Sequence, residues 1–484
     1  MSDTKTPDLK KNFIYRMLYE ILLFAIPLVT LPYISRVLGP EGVGAYSYSY
    51  SVVSYFMLFG ALGTAAYGMR EIARNRDDRQ ACSRLFWQIE GMSIFTCLIC
   101  LIVWALIILS GSSHYLFFLA LTPFLLGTMC DITWFYMGLE RIGAIVLSSG
   151  VIRIAGVVLT FTLVRSKEDV ILFCIINSVI FLGANLSMWL FLPRYLVRAG
   201  WDGLHLKQHL RETCIYFIPT IASSVYLVMD KTLIGLITDS AYENGYYEQA
   251  SKLIAVAQGI SYLVFNAVAG ARFSYLFAAK QEERIRTGIR RSADFVFLMS
   301  YGAAFGLLGI THSLVPVFFG AGYEPVEFLI CLMLPLIPVV AISNCLGNQY
   351  YTPAGKRAQS AMYIVAGAVL NLLLNLALIP ILGAKGAVLA SLAAESLISV
   401  LYLAHCEGML SVRMIGALSW KRLIAGICMA GAVRLLGTVP LHAVIVLCLQ
   451  IVCGAILYLL LLVLLRDGLV IETCKKYIHK TEEL

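Results

Sequence analysis

Runs of about 20 consecutive apolar residues, separated by short polar breaks, recur along the whole chain and limit what it can fold into more than any other feature. A helix rises 1.5 Å per residue, so each run is long enough to cross the roughly 30 Å hydrocarbon core of a bilayer. The chain has 484 residues, 60% of them hydrophobic and only 14% charged. With a mean hydropathy of +0.81 it has more apolar surface than one soluble core could hide. A water-soluble enzyme is excluded. The expected fold is all-α and polytopic, with about fourteen spans at roughly 13–35, 43–68, 85–110, 115–138, 143–164, 170–192, 213–237, 246–275, 293–311, 326–346, 359–380, 386–405, 420–438 and 441–465.

Most of the 13 cysteines lie inside these runs, where they read as small buried hydrophobes. The polar start, Met1 to Lys11, leads into an apolar stretch long enough to span, so the first helix is expected to be retained. Lys- and Arg-rich breaks at the N-terminus, 70–84, 194–211 and 280–291 alternate with nearly neutral ones. The positive-inside rule places the cationic breaks and both termini in the cytoplasm of a multi-pass cell (inner) membrane protein. The net charge of +8 is explained by this bias and by attraction to anionic membrane lipids, with no appeal to nucleic acid. Loops no longer than about 20 residues leave no room for a soluble catalytic domain, so no enzyme activity is expected. No Walker A sequence is present, which argues against ATP as the energy source.

The halves of the chain echo each other. Pro27 answers Pro219, Gly44-Ala-Tyr46 answers Gly245-Tyr-Tyr247, and Arg141 and Asp169 answer Arg357 and Lys385, 216 positions on. The expected organisation is an N-lobe of six spans (1–195), a cytoplasmic linker (196–212), a C-lobe of six spans (213–410), and two further spans with a tail (411–484). An even number of spans per lobe makes the repeat parallel, and two such lobes rocking about a cleft would give alternating access. Pro27 and Pro219, each removing a helix hydrogen bond, are candidate hinges at matching sites, or inert kinks.

A charge near the bilayer centre costs about 2.5–3.5 kcal/mol on insertion scales, so charges inside spans should face a cavity or a partner. Arg153, Asp131, the pair Asp230-Lys231, Arg272, Glu395 and Arg36 are the candidates. Asp131 with Arg153, and Asp230 with Lys231, could instead neutralise each other, and Arg272 and Arg36 could snorkel to the interface. The alternation Tyr46-Ser-Tyr-Ser-Tyr-Ser51 spreads over several faces of a helix, and Tyr48 is a candidate for lining a hydrophilic cleft suited to sugars, or a member of an aromatic belt. Asn348 and Gln349, followed by two tyrosines, offer amides at the end of the tenth span. Asn371 and Asn375, at i and i+4, read as glue between helices. Cys97-Leu-Ile-Cys100 and the pair His205/His209 have redox and metal spacings in the wrong context, and no metal or other cofactor is expected.

Three segments resemble the Wzx-type polysaccharide repeat-unit flippases of the MOP superfamily, which also holds the MATE exporters and lipid II flippases. They are Ile34-Ser-Arg-Val-Leu-Gly-Pro-Glu-Gly-Val-Gly-Ala-Tyr46 leading to Gly68-Met-Arg-Glu71, then Met229-Asp-Lys-Thr-Leu-Ile-Gly235 with Gly245-Tyr-Tyr-Glu248, and the stretch from Ser343-Asn344 through Gly355-Lys356, Asn371, Asn375 and Gly383-Ala384 to Glu395. The resemblance covers about residues 13–405. It implies transfer of an undecaprenyl-diphosphate-linked glycan to the outer leaflet for O-antigen, capsule or exopolysaccharide synthesis, alongside a polysaccharide polymerase and export machinery. Arginines would meet the diphosphate. Where the family shows Pro-Arg late in the eighth span, this chain has Ala271-Arg272, which leaves the bend there in doubt. A coupling ion, H+ or Na+, is left open. The alternative on the same fold is a cation or drug antiporter, which would need acids in its cleft. A membrane-embedded polymerase would need a large outer loop.

Overall fold

The computed structural model describes residues 9–111, 113–197 and 206–482. These are nearly all helical, as expected of a chain that must satisfy its backbone hydrogen bonds internally within lipid. Contacts divide the chain into two compact units, Met1–Gly235 and Leu236–Leu484. This division falls inside a helix, whereas the repeat starts the second lobe at residue 213.

Unit 1 holds α1 (Leu9–Ala61), α2 (Thr64–Arg74), α3 (Arg79–Leu109), α4 (Tyr115–Met129), α5 (Thr133–Gly138), α6 (Ile142–Leu163), α7 (Val170–Trp189) and most of α8 (Leu206–Thr238). α1 is broken at Gly39, whose φ of 69° an L side chain would strain. Pro40 then starts the second half, in the position a helix tolerates best. The break separates the two apolar runs expected at 13–35 and 43–68. It lies at Gly39 and not at Pro27, which α1 passes through. Pro219 lies outside the residues whose side chains are described, as does His205.

Unit 2 follows with α9 (Ala241–Ala278), α10 (Glu282–Phe319), α11 (Glu324–Met333), α12 (Leu336–Leu346), α13 (Arg357–Leu382), α14 (Ala384–Ala404), α15 (Val412–Leu436), α16 (Ala443–Leu464) and α17 (Gly468–Glu482). α9 runs as one helix past Ala271-Arg272. Among the described residues eight helices are long and apolar enough to cross a membrane, or up to nine if the α11–α12 segment, bent by 43°, is one crossing. That count takes both halves of α1 together and leaves out α15, which Lys421, Arg422 and Arg434 interrupt.

Burial shows why the helices stay together without a hydrophobic drive between them. Large apolar side chains such as Ile102, Leu106 and Val151 point outward, while small residues and polar contacts lie between helices. A Cβ on Gly386 would lie 2.5 Å from the Leu378 carbonyl oxygen, so only glycine lets α13 and α14 approach this closely. Asn375 donates to Asn371 (2.9 Å), which donates to Ser391 of α14 (3.2 Å), so this pair does tie helices together. Glu243 of α9 accepts the Ala384 N–H (2.8 Å) and fastens the start of α14.

Candidate functional site

The break at Gly39 lets both halves of α1 face the α6–α7 hairpin, and the packing between them is incomplete. A cavity of about 380 Å³ remains in unit 1. Pro27 and Thr30 reach it from the first half of α1, Tyr46 and Tyr50 from the second, Phe124 from α4, Arg153 and Thr160 from α6, and Phe173, Ile176, Asn177 and Ile180 from α7. Tyr46 and Tyr50, one helical turn apart, stack with ring centroids 5.7 Å apart.

Arg153 gives the cavity its charge. It sits about 16 Å along α6 from the helix start, and its Nε is buried with no hydrogen-bond partner among the described residues. The hydroxyls nearby are turned back on their own helices: Thr30 donates to the Ile26 carbonyl (2.9 Å) and Thr160 to the Gly156 carbonyl (2.8 Å). The Asn177 amide donates to the Phe173 carbonyl (2.8 Å). The arrangement is a cation among aromatic rings and branched aliphatic side chains, suited to an anion carried on an apolar molecule.

Asp131 lies in the break between α4 and α5, where it accepts the N–H (2.9 Å) and hydroxyl (2.6 Å) of Thr133. Arg153 is within its electrostatic field. The structure therefore brings Pro27, Arg153 and Asp131 into one neighbourhood and sets the other candidates apart. Tyr48 does not line the cavity. At 100° per residue it points away from Tyr46 and Tyr50, and it packs where a Cβ on Gly235 of α8 would lie 2.2 Å from its ring. Asp230 is buried and Lys231 half-buried on α8, near that same opposite face of α1, where Ser51 and Thr232 bond through their hydroxyls at 2.7 Å. Arg36 is exposed beside the Gly39 break.

The remaining candidates belong to unit 2. Arg272 is exposed on α9, and Glu395 is half-buried on α14. Asn348 is exposed and donates to the Asn344 carbonyl (3.1 Å). Gln349 is wholly buried and accepts from Cys345 at 3.6 Å, because residues Gly347–Tyr351 form a π-helical turn that rotates it inward.

Two ionisable residues inside apolar helices escaped the sequence reading. Glu90 of α3 is wholly buried beside the Trp134 indole, and neither carboxyl oxygen meets a partner in hydrogen-bonding geometry among the described residues. Arg422 of α15 is 1% exposed and forks onto Asp467 (3.2 and 3.3 Å) and Asp294. The rule that selects Arg153, a charge within an apolar run, would have selected both.

The helix succession defines a polytopic helical membrane fold. The structure is similar to the inward closed conformation of lipid II flippase MurJ, with a TM-score of 0.72, 14% sequence identity, and coverage of 94% of this chain and 99% of that one. Residues 9–269 match the model of the polysaccharide biosynthesis protein family, and the chain belongs to that family. All the cavity residues lie within this matched segment. Two relatives, each described as a "Putative O-antigen transporter", are similar over most of their length. The one from Escherichia coli (strain K12) is 26% identical over 412 residues, covering 83% of this chain and 97% of its own. The one from Shigella dysenteriae is 24% identical over 394 residues, covering 81% and 98%.

Proposed function

We propose that this chain is a flippase carrying an undecaprenyl-diphosphate-linked oligosaccharide from the inner to the outer leaflet of the cell membrane, for surface polysaccharide synthesis. Both termini face the cytoplasm, and two lobes of six spans alternate access without breaking a bond. Finished units pass to a polymerase and export machinery. The observation that carries this reading is Arg153: a mid-helix cation costing about 2.5–3.5 kcal/mol in lipid, kept beside a cavity and in no salt bridge among the described residues. Its planar fork matches a phosphate, Tyr46 and Tyr50 offer ring faces to sugar, and the polyprenyl tail stays in lipid.

The test replaces Arg153 in a strain lacking its own copy of the gene and follows lipid-linked repeat units by leaflet. A charge-assisted contact is worth about 1.5–3 kcal/mol, so Arg153→Gln is expected to slow transfer about tenfold or more at an unchanged membrane level. Normal transfer would remove Arg153 from the site. Two acids inside unit 1, the wholly buried Glu90 and the half-buried Asp131, favour a second reading, a cation or drug antiporter. Drug sensitivity with a normal surface glycan in the deletion strain would select it.

A further inference from the structure

The cations of the first half of the chain are almost all arginines. Between Lys11 and Lys207 the sequence holds twelve arginines and a single lysine, Lys167. Lysine would satisfy the positive-inside rule equally well, but only arginine presents a planar fork that grips a phosphate through two parallel N–H donors. Which of these forks are free depends on their partners.

Arg74 is paired with Glu71 (3.2 Å) and Arg76 with Glu140 (3.0 Å). Arg79 and Arg84, in the first two turns of α3, and Arg194, just beyond α7, are exposed and make no ion pair among the described residues. The neighbouring acid Asp78 is taken up in capping α3, accepting the Gln80 and Ala81 N–H groups (2.9 and 3.0 Å). The ends of α3 and α7 meet at one corner: Arg79 donates to the Arg194 carbonyl (3.4 Å), and the Val197 N–H donates to the Ser83 hydroxyl (2.9 Å).

One turn further along α3, Trp87 is 43% exposed, with its ring centroid 6.4 Å from that of Trp189 on α7. The Trp189 N–H is spent on the Cys130 carbonyl (2.9 Å), whereas the Trp87 N–H has no partner among the described residues. Beyond Trp87 the outward face of α3 is apolar, with Phe95, Leu98, Ile99 and Ile102 exposed. Gly91 lies one turn from both Trp87 and Phe95, and a Cβ there would meet nothing within 4 Å, so the face is notched between the two rings. Unpaired arginines, an indole donor and an apolar strip follow one another in the order of a phospholipid's phosphate, ester and acyl chain.

We propose that this corner of unit 1 binds an anionic glycerophospholipid, such as phosphatidylglycerol, in the leaflet on the side of the cationic breaks. Arg79, Arg84 and Arg194 hold the phosphate, the Trp87 indole donates to an ester oxygen, and an acyl chain lies along α3 in the notch at Gly91. The bound lipid ties the start of α3 to the end of α7. None of these residues lines the cavity, and the site does not rest on the flippase reading.

Native mass spectrometry of the full-length protein, released from detergent with added lipid, tests the site. A basic side chain at a membrane surface favours an anionic lipid about fivefold, so the wild type should retain phosphatidylglycerol over phosphatidylethanolamine by at least about tenfold. The triple variant Arg79→Gln/Arg84→Gln/Arg194→Gln should bring that preference below about twofold. Arg74→Gln/Arg76→Gln, which removes two paired cations, should keep it. Phosphatidylglycerol with brominated chains should also quench tryptophan fluorescence more than brominated phosphatidylethanolamine, a difference lost in Trp87→Phe and kept in Trp420→Phe. A preference that survives the triple variant, or falls equally in the double one, would show only diffuse attraction to a basic surface and overturn the proposal, as would a quenching difference that persists in Trp87→Phe. Displacement of phosphatidylglycerol by an equal amount of undecaprenyl diphosphate would overturn it in favour of a substrate site.

Discussion

Arg153 in unit 1 and Arg422 in unit 2 both interrupt an apolar helix, yet their surroundings are opposite. Arg422 donates to the Asp294 carbonyl (2.6 Å) and carboxylate and to both oxygens of Asp467. Its cation is used up in joining α15 to α10 and to the turn between α16 and α17. Arg153 has a buried Nε with no hydrogen-bond partner among the described residues, beside the cavity. A charge inside a membrane helix is therefore not by itself a sign of transport chemistry. What separates the two roles is whether the donors are already satisfied.

The largest expected effect tests the structural arginine. Arg422→Ala leaves Asp294 and Asp467 facing each other without their cation, and breaking a buried pair in this way costs about 3–5 kcal/mol. Thermal unfolding in detergent should show a strong loss for Arg422→Ala, with transport falling only as far as folded protein falls. Arg153→Gln should do the reverse, with little change in unfolding and a marked loss of transport per folded molecule. Comparable destabilisation by both variants would erase the distinction.

The next test compares the two helix hairpins that the 216-residue spacing makes equivalent. In α6–α7 the packing leaves a cavity, whereas α13–α14 is closed by Gly386 and the Asn375–Asn371–Ser391 chain. Val157 lines the cavity, and its counterpart Leu373 is 60% exposed on the outer face of α13. Val157→Phe should fill part of the 380 Å³ and lower transport several-fold, while Leu373→Phe should leave it unchanged. Equal transport by the two variants would show that the cavity is not on the substrate's route.

Much of this was legible in the sequence, for identifiable reasons. The apolar runs located the helices because lipid offers no other partner for the backbone. The gap left between 35 and 43 holds the break at Gly39, and Arg153 and Pro27, singled out separately, line one cavity. Asn371 and Asn375 could be read as glue because i, i+4 spacing places them on one face. Side-chain direction was less accessible. Tyr48 differs from Tyr46 only by helix phase, and Gln349 is turned inward by a π-helical turn that no local pattern announces. Partners were the least accessible: Asp294 lies 128 positions from Arg422 and Asp467 lies 45 away, so whether an intramembrane arginine is satisfied depends on tertiary packing.

The smallest effect concerns a third kind of cation, paired in the loops outside the membrane segments. Lys356 bonds to Glu407 and to the Tyr350 hydroxyl (2.7 Å), and its Nζ lies 4.9 Å from the Tyr350 ring centroid. The Lys356 ammonium, and then the Tyr350 hydroxyl, hold the Glu407 carboxyl below the usual carboxylate range; Glu407 and Tyr350 push Lys356 up. A lowered carboxylate contributes stability above its unfolded pKa, about 4.3, and loses it as pH falls through the lower folded value. A raised lysine contributes fully below about 10.4 and loses that contribution as pH rises through its higher folded value. The pair should therefore stabilise between roughly pH 5 and 10 and fade on both sides. Glu407 is 66% exposed, so water and salt screen the pair and the effect should stay within about 0.2–1 kcal/mol. Glu407→Gln should lower the unfolding temperature slightly at neutral pH and 0.1 M salt, and the difference should vanish near pH 3 and at 1 M salt, where the Debye length is about 3 Å. A difference that persists at high salt would place this pair with Arg422, as a shielded structural contact and not an exposed one.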